Sequence, residues 1–250
     1  MPMMKAFRFV TLVTSLLLTC AAPAAASGQD SGPRPAHGTF YTGDQGGACG
    51  YGNWQADHPG ELSTAVSKVL FNNGLSCGER FTVRCVDSRW CLPGNPVITV
   101  EVTNYCPPNP SLPNNDGGWC NPPLEHFDLS EKAFTTIAER QAGIVPITYV
   151  EAGTDGPSPL RFKIAGNPDF NLVLVDSNSR WSTNAVWIKG TGTDWLPMTR
   201  NWGMNWQSGR KLTGQALSFK VTDTHGRTVI RNNVFPADWK FGQTATAAGF

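Results

Sequence analysis

Residues 98–108 have the sequence ITVEVTNYCPP, in which apolar and polar side chains alternate up to a cysteine and two prolines. The isoleucine and valines at positions 98, 100 and 102 fall on one face of an extended chain, because successive side chains of a strand point to opposite faces. The segment therefore predicts a half-buried β-strand. Asn104 lies at its end, where site residues often gather, although asparagine is also common there as a turn former.

The residues that precede and follow this strand predict that the first half of the chain contains both strands and helices. Residues 80–86 alternate in the same way and predict a second strand. Residues 61–73 carry apolar side chains at helical spacing and end at a glycine, and residues 131–142 follow Ser130, a favourable N-cap. Each of these two segments predicts a helix.

The second half of the chain predicts a β-sandwich. Residues 151–158 are polar and rich in glycine and proline, which is typical of a linker between a domain at 38–150 and a domain at 159–250. The second domain contains several short strand-like segments and no convincing helix, a pattern typical of a sandwich. These segments are 161–164, 170–175, 185–189, 217–222 and 227–232. The chain is therefore predicted to be mainly β.

The first 26 residues predict a secretory signal peptide. Lys5 and Arg8 precede an uncharged apolar run that ends near three alanines at positions 24–26. The formal net charge of the whole chain is +1, and cleavage would remove two basic residues and no acid. A nearly neutral surface argues against nucleic acid as a partner and against docking on anionic lipid. No further apolar run of spanning length occurs, so we expect no membrane anchor.

The cysteines predict disulfides in the first domain. Cys20 leaves with the signal peptide, and an even number remains, all in the first half: Cys49, Cys77, Cys85, Cys91, Cys106 and Cys120. In a secreted chain such a set favours three disulfides. Zinc is the alternative, but the spacings are not those of short zinc-binding pairs and the four histidines are scattered. We expect neither a metal nor a cofactor.

Asp128 is the first candidate for chemistry. It precedes the predicted helix at 131–142, so it could serve as a capping carboxylate or as an acid in a groove. On position alone, capping is the more common role. Thr39 and Tyr41 are a weak signal by themselves, because such side chains on a strand usually pack against the core.

The tryptophans of the second domain are candidates for ligand binding. Trp187 alternates with two apolar residues and should face away from them. Trp195 is flanked by leucine and proline and is our candidate for the core. Trp202 and Trp206 have polar or small neighbours, which predicts exposure, and exposed aromatic residues often mark binding surfaces.

Several long motifs, in this order along the chain, resemble the plant α-expansins. In the first half they are residues 39–41 (TFY), 47–53 (GACGYGN), 70–78 (LFNNGLSCG), 90–94 (WCLPG), 103–109 (TNYCPPN) and 118–129 (GWCNPPLEHFDL). In the second half they are residues 170–175 (FNLVLV), 200–207 (RNWGMNWQ) and 232–234 (NNV). The resemblance covers essentially the whole mature chain.

The resemblance implies a double-psi β-barrel followed by a β-sandwich that binds cellulose. It also implies a secreted, monomeric cell-wall protein that loosens the wall without hydrolysing the glycan. Thr39, Tyr41 and Asp128 match the polar groove residues of the family, with Asp44 and Asn104 as further members. Trp202 matches the family's platform aromatic residue, while Trp187 and Trp206 are our additions. The implied disulfides are Cys49–Cys77, Cys85–Cys91 and Cys106–Cys120.

The chain departs from the family at one disulfide. Arg80 occupies the position of a family cysteine, and residues 150–154 lack the cysteine that would pair with it. The loss of such a disulfide lowers the stability of the folded state by about 4 kcal/mol in the chain-entropy model. Two alternatives to wall loosening stay open: a weak endoglucanase with Asp128 as acid and Asp44 as base, and a carbohydrate-binding protein with no effect on the wall.

Overall fold

A computed structural model describes residues 32–43, 47–152, 158–177, 179 and 181–250. The predicted signal peptide, Asp44 and residues 153–157 of the predicted linker lie outside these ranges. Within the described part of the chain, no helix combines the length and the apolar character needed to cross a membrane.

The first half forms a closed barrel of six strands, which confirms the double-psi β-barrel prediction. Around the barrel the order is β1–β5–β2–β4–β3–β6, and β6 closes it by pairing with β1. Two neighbouring pairs, β1 with β5 and β2 with β4, are parallel, and the other pairs are antiparallel. The strands are β1 Arg34–Tyr41, β2 Ser63–Ser67, β3 Arg80–Cys85, β4 Val97–Cys106, β5 His126–Ser130 and β6 Val145–Glu151.

The predicted helix at 61–73 is wrong. Its first part is β2, all of whose residues are buried between β4 and β5, and only Lys68–Phe71 (α2) and a 3-10 turn at Asn72–Gly74 are helical. Pairing on both edges supplies the backbone hydrogen bonds of this segment, so tertiary context overrides the helical spacing.

The second predicted helix exists but is shorter than its pattern indicates. Helix α3 spans Glu131–Ile137 and is followed by a separate 3-10 turn at Arg140–Ala142. Ser130 is its N-cap by position, without a side-chain capping hydrogen bond. A further short helix, α1 at Trp54–Asp57, was not predicted; Asn53 caps it by accepting from the backbone N–H of Ala56.

The second half forms a β-sandwich, as predicted. Phe162 and Phe219, one from each sheet, stack in its core with ring centroids 4.5 Å apart. One sheet has the order β11–β12–β8–β7–β15 and the other β10–β9–β13–β14. The strands are β7 Leu160–Asn167, β8 Phe170–Asp176, β9 Thr183–Gly190, β10 Leu196–Pro197, β11 Thr199–Trp202, β12 Asn205–Ser208, β13 Leu217–Asp223, β14 Thr228–Phe235 and β15 Thr244–Ala247.

Three disulfides lie in the first half, and they join the pairs that the resemblance implies. They are Cys49–Cys77, Cys85–Cys91 and Cys106–Cys120. Arg80, at the position of the missing family cysteine, forms an ion pair with Glu61, with Nη2 and Oε2 3.5 Å apart. Its carbonyl accepts a 2.7 Å hydrogen bond from the N–H of Ala152. Backbone pairing thus holds the ends of β3 and β6 together where the disulfide is absent.

The barrel and the sandwich share apolar contacts at their junction. Leu174 and Met204 of the sandwich belong to the buried cluster of the barrel. The N–H of Met204 donates to the carbonyl of Cys49 over 2.9 Å. Gly203 has a φ of +52°, and a Cβ there would lie 2.4 Å from the same carbonyl oxygen. Only glycine fits such an approach without movement of the backbone.

Charged side chains also cross the junction. Arg200 of β11 donates to the carbonyl of Gly74 over 2.7 Å, and burial lowers the pKa of its guanidinium. Arg161 of β7 pairs with Asp57 of α1, with Nη2 and Oδ1 2.6 Å apart. The junction is therefore a packed and hydrogen-bonded interface.

Candidate functional site

The parallel pairing of β1 with β5 sets Thr39 beside Asp128. Phe127 and Leu129 on β5 are fully buried in the barrel core. Because side chains alternate along a strand, His126 and Asp128 face the other side, where a pocket opens. The fold thus brings together two residues that are 89 positions apart in the sequence.

Thr39, Asp128 and His126 form a short hydrogen-bonded chain. The hydroxyl of Thr39 donates to Oδ1 of Asp128 over 2.7 Å, and its oxygen lies 2.8 Å from Nε2 of His126. Since the hydroxyl proton points to the carboxylate, Nε2 of His126 is the donor to Thr39. The Asp128 carboxylate is therefore engaged by the neighbouring strand of the barrel.

Burial shifts the protonation of this chain. Burial raises the pKa of Asp128, and the hydrogen bond from Thr39 opposes the rise. Burial, together with the charge of His37, lowers the pKa of His126 to about 3, so its imidazole is neutral at any physiological pH. The Nδ1 atom of His126 is buried and has no hydrogen-bond partner. The floor of the pocket is consequently a carboxyl group of raised pKa, fixed by two neutral donors in series.

The walls of the pocket come from the loop that follows β4. Pro107, Asn109, Gly117 and Trp119 line it, together with the Cys106–Cys120 disulfide. Among the described residues that line the pocket, Asp128 is the one carboxylate. Sequence reasoning missed Trp119 and His126 as site residues. The position of His126, two residues before Asp128 on one strand, is the signal that could have revealed it.

The other predicted groove residues lie elsewhere or outside the described ranges. Tyr41 is half-buried at the end of β1, and neither it nor Asn104 lines the pocket. The side-chain oxygen of Asn104 accepts 2.8 Å hydrogen bonds from the N–H groups of Ala48 and Tyr105, which anchors the loop before Cys49. Asp44 lies outside the described residues.

A second surface lies on the outer face of the four-stranded sheet. The register aligns Pro197, Trp187, Lys220 and Ile230 in one row across its four strands. The Lys220 ammonium lies 4.0 Å from the centroid of the Trp187 ring, and Ile230 is 47% exposed. We call these four residues the Trp187 row. These side chains form a partly apolar strip across the sheet face.

The prediction that Trp206 is exposed is wrong. Trp206 is 4% exposed and packs in the sandwich core, with the guanidinium of Arg200 4.8 Å from its ring centroid. Sequence neighbours in a strand point to the opposite face, so their polarity says nothing about the side on which Trp206 lies.

Trp195 and Trp202 do not form one exposed aromatic face with Trp187. Trp195, our core candidate, is half-buried instead, with the ammonium groups of Lys189 and Lys220 each 5.9 Å from its ring. Trp202 is 48% exposed, as predicted, but it lies on the five-stranded sheet with its ring against Gly50 of the barrel. Trp202 and Trp187 therefore belong to different sheets.

Comparison with known proteins gives matches over both halves of the chain. Residues 160–236 match the family model of the expansin C-terminal domain, and residues 63–149 match a family model described as lytic transglycolase. The chain is 42% identical over 253 residues to Expansin-A25 of Oryza sativa subsp. japonica, covering 95% of this chain and 96% of that protein. It is also 42% identical over 226 residues to Expansin-A25 of Arabidopsis thaliana, covering 87% and 80%.

Solved structures share the same fold. The apo crystal structure of a Clavibacter michiganensis expansin matches with a TM-score of 0.66 at 24% identity, over 87% of this chain and 96% of that one. A mutant of that expansin, solved in complex with cellohexaose, matches with the same TM-score and identity.

Proposed function

The chain belongs to the expansin family, and from that membership we propose that it is a secreted protein that loosens plant cell walls without hydrolysing their glycans. It does so by binding cellulose, or cellulose–xyloglucan junctions, and disrupting non-covalent contacts between the polysaccharides. The partner is cell-wall polysaccharide, the acting species is a monomer, and the site of action is the extracellular wall.

The observation that carries the proposal is the environment of Asp128. Its carboxyl group is fixed by Thr39 at the floor of a pocket whose walls combine a tryptophan, prolines and an asparagine. Sugar hydroxyls are both donors and acceptors, so a positioned carboxyl group between polar and apolar walls suits a glycan chain. Held by Asp128, a glucan segment loses part of its hydrogen bonding to neighbouring chains.

The described residues that line the pocket do not include the pair of carboxylates that a glycosidase usually needs. Hydrolysis of a glycosidic bond needs an acid and a second carboxylate, about 5 to 9.5 Å apart. Asp128 fits the acid, while the walls supply neutral groups such as Asn109 and Trp119. This favours a gripping role for Asp128 over a catalytic one.

A second surface would hold the protein on the wall. The Trp187 row offers one aromatic ring, a proline and an isoleucine on one sheet face. Stacking of apolar groups on pyranose rings removes apolar area from water. We assign cellulose adhesion to this row and local disruption to the pocket, with Trp202 as a separate candidate contact near the barrel.

The test is an extension assay on heat-killed cell walls with an Asp128→Asn variant. We expect extension to be lost while binding to crystalline cellulose stays within about twofold of the unmodified protein, because the Trp187 row is untouched. Asp169→Asn, in the exposed turn between β7 and β8, is the matched control and should extend walls normally. Normal extension by Asp128→Asn would refute the assignment of the pocket.

The raised pKa of Asp128 favours one competing function, a weak endoglucanase. A carboxyl group whose pKa is raised by burial can serve as a general acid. Asp44 would then have to be the base. Release of reducing ends from a soluble β-glucan, abolished by both Asp128→Asn and Asp44→Asn, would establish hydrolysis. Cellulose binding without either extension or hydrolysis would leave a simple carbohydrate-binding protein.

A further inference from the structure

A buried cluster of three metal-binding side chains lies at the junction, away from the pocket. His58 follows α1, Glu101 belongs to β4 of the barrel, and Asp176 ends β8 of the sandwich. All three are buried, at 7%, 0% and 1% exposure, and one ligand atom from each lies within 4.8 Å of the others. The three residues come from distant parts of the chain, so the fold itself assembles them.

His58 is oriented as a metal ligand is. Its Nδ1 atom lies 3.1 Å from the carbonyl oxygen of Trp54 and donates to it, while Nε2 points to Oδ2 of Asp176 at 3.0 Å. Histidines that bind metals usually donate one ring N–H to a carbonyl or carboxylate, which fixes the other nitrogen toward the ion. The indole of Trp54 stacks on the imidazole, with centroids 4.9 Å apart and planes 14° apart, and locks the ring in place.

Glu101 offers a buried carboxylate oxygen to the cluster. Its Oε1 atom accepts a hydrogen bond from Nε1 of Trp54 over 3.3 Å, whereas Oε2 is buried without a hydrogen bond of normal geometry. The buried hydroxyl of Tyr51 interacts with the same carboxylate. A buried carboxylate oxygen without a hydrogen bond of normal geometry is costly and calls for an explanation. The same tryptophan thus holds one oxygen of Glu101 through its indole N–H and orients His58 through its carbonyl.

From this geometry we propose that His58, Glu101 and Asp176 form a binding site for one divalent transition-metal ion, with Zn²⁺ the best fit, at the junction of the barrel and the sandwich. One imidazole and two carboxylates are ligands that Zn²⁺ takes at about 2.0–2.2 Å, which places them roughly 3.5 Å apart. The ligand atoms lie within 4.8 Å of one another, so binding would require side-chain rotations that bring them closer. Ca²⁺ fits less well, because it takes six to eight oxygen ligands.

The ion would tie the two domains together. Two ligands come from the barrel half and one from the sandwich, so metal binding and domain association stabilise each other. Such a site is independent of the proposed wall-loosening activity, since none of its residues lines the pocket or belongs to the Trp187 row.

Zinc titration of the full mature chain tests the proposal. The protein is stripped with EDTA, exchanged into chelator-free buffer and titrated with Zn²⁺ by calorimetry, and bound zinc is counted by mass spectrometry after gel filtration. A second sample is refolded from urea with Zn²⁺, so that slow entry into a closed site cannot hide binding. We expect one zinc per chain and a melting temperature that rises with Zn²⁺.

Isosteric variants separate this site from adventitious binding. Glu101→Gln and Asp176→Asn should each weaken zinc binding at least about tenfold and abolish the zinc-dependent rise in melting temperature. Asp57→Asn breaks a different ion pair across the same junction and should bind zinc normally. Asp128→Asn, in the pocket, should also bind normally.

Three results would overturn the proposal. The first is that neither the titrated nor the refolded protein binds zinc. The second is that zinc binding survives in both Glu101→Gln and Asp176→Asn, and the third is that it is lost in Asp128→Asn. Circular dichroism in the presence of EDTA tests whether each variant is folded. If one variant does not fold, the other decides the question.

Discussion

Replacing Trp187 by alanine separates adhesion from stability. Trp187 is half-buried on the outer face of the four-stranded sheet, so its removal opens no cavity in the core. If its ring covers about 100 Å² of a sugar face, the loss is at most about 2.5 kcal/mol, or about 60-fold in affinity. We expect weaker binding to crystalline cellulose and an unchanged melting temperature.

Trp206→Ala is the matched control and should do the opposite. Trp206 is 4% exposed in the sandwich core, and truncating a buried tryptophan costs about 3–5 kcal/mol. In a protein of this size that lowers the melting temperature by roughly 6–20 °C. The fraction that stays folded should bind cellulose normally.

Binding isotherms on cellulose, combined with thermal melting, distinguish these outcomes. Trp187→Phe keeps an aromatic ring and should retain most of the binding. Unchanged binding by Trp187→Ala, or a melting temperature as low as that of Trp206→Ala, would refute the assignment of the Trp187 row. If Trp202→Ala alone abolished binding, adhesion would move to the five-stranded sheet.

Two further predictions concern the junction. Gly203→Ala should lower the free energy of unfolding by about 1–3 kcal/mol in chemical denaturation, because its φ is positive and a Cβ would meet the Cys49 carbonyl, whereas Gly209→Ala, with open space around it, should not. In the presence of EDTA, stability should fall as pH rises from about 5 to 9. Burial alone would lower the pKa of His58, but Asp176 raises it to about 9, and burial raises the pKa of Glu101 to about 8. The folded state therefore binds these protons more tightly than the unfolded state, and their contribution is lost above those values. Glu101→Gln should make the free energy of unfolding fall less steeply with pH below pH 8. Chemical denaturation at several pH values measures this slope, and a slope equal to that of the unmodified protein would refute the reasoning.

The sequence predicts strands well where apolar and polar residues alternate and poorly where they do not. Residues 98–103 alternate and lie in a strand as expected, although the polar residues Glu101 and Thr103 are buried as well. Ser63–Ser67 is buried on both faces of the barrel wall, so alternation vanishes and helical spacing appears by coincidence. The same reasoning explains Trp206, whose exposure depends on which sheet face it occupies and not on its neighbours in sequence.

The candidate sites divide along similar lines. Asp128 and Thr39 were found through motifs, and the parallel register of β1 and β5 brings them together. His58 and Asp176 lie 118 positions apart in different domains, so no spacing along the chain could connect them. Only the packing of barrel on sandwich makes them neighbours.

The shared packing at the junction has a mechanical consequence. Leu174 and Met204 sit in the core of the barrel although they belong to the sandwich, so bending one domain against the other must open a close-packed interior. Such interiors resist deformation. Under the proposed function, a polysaccharide in the pocket would be pulled while the sheet face stays attached to a microfibril, and the protein would then transmit that tension with little displacement inside it.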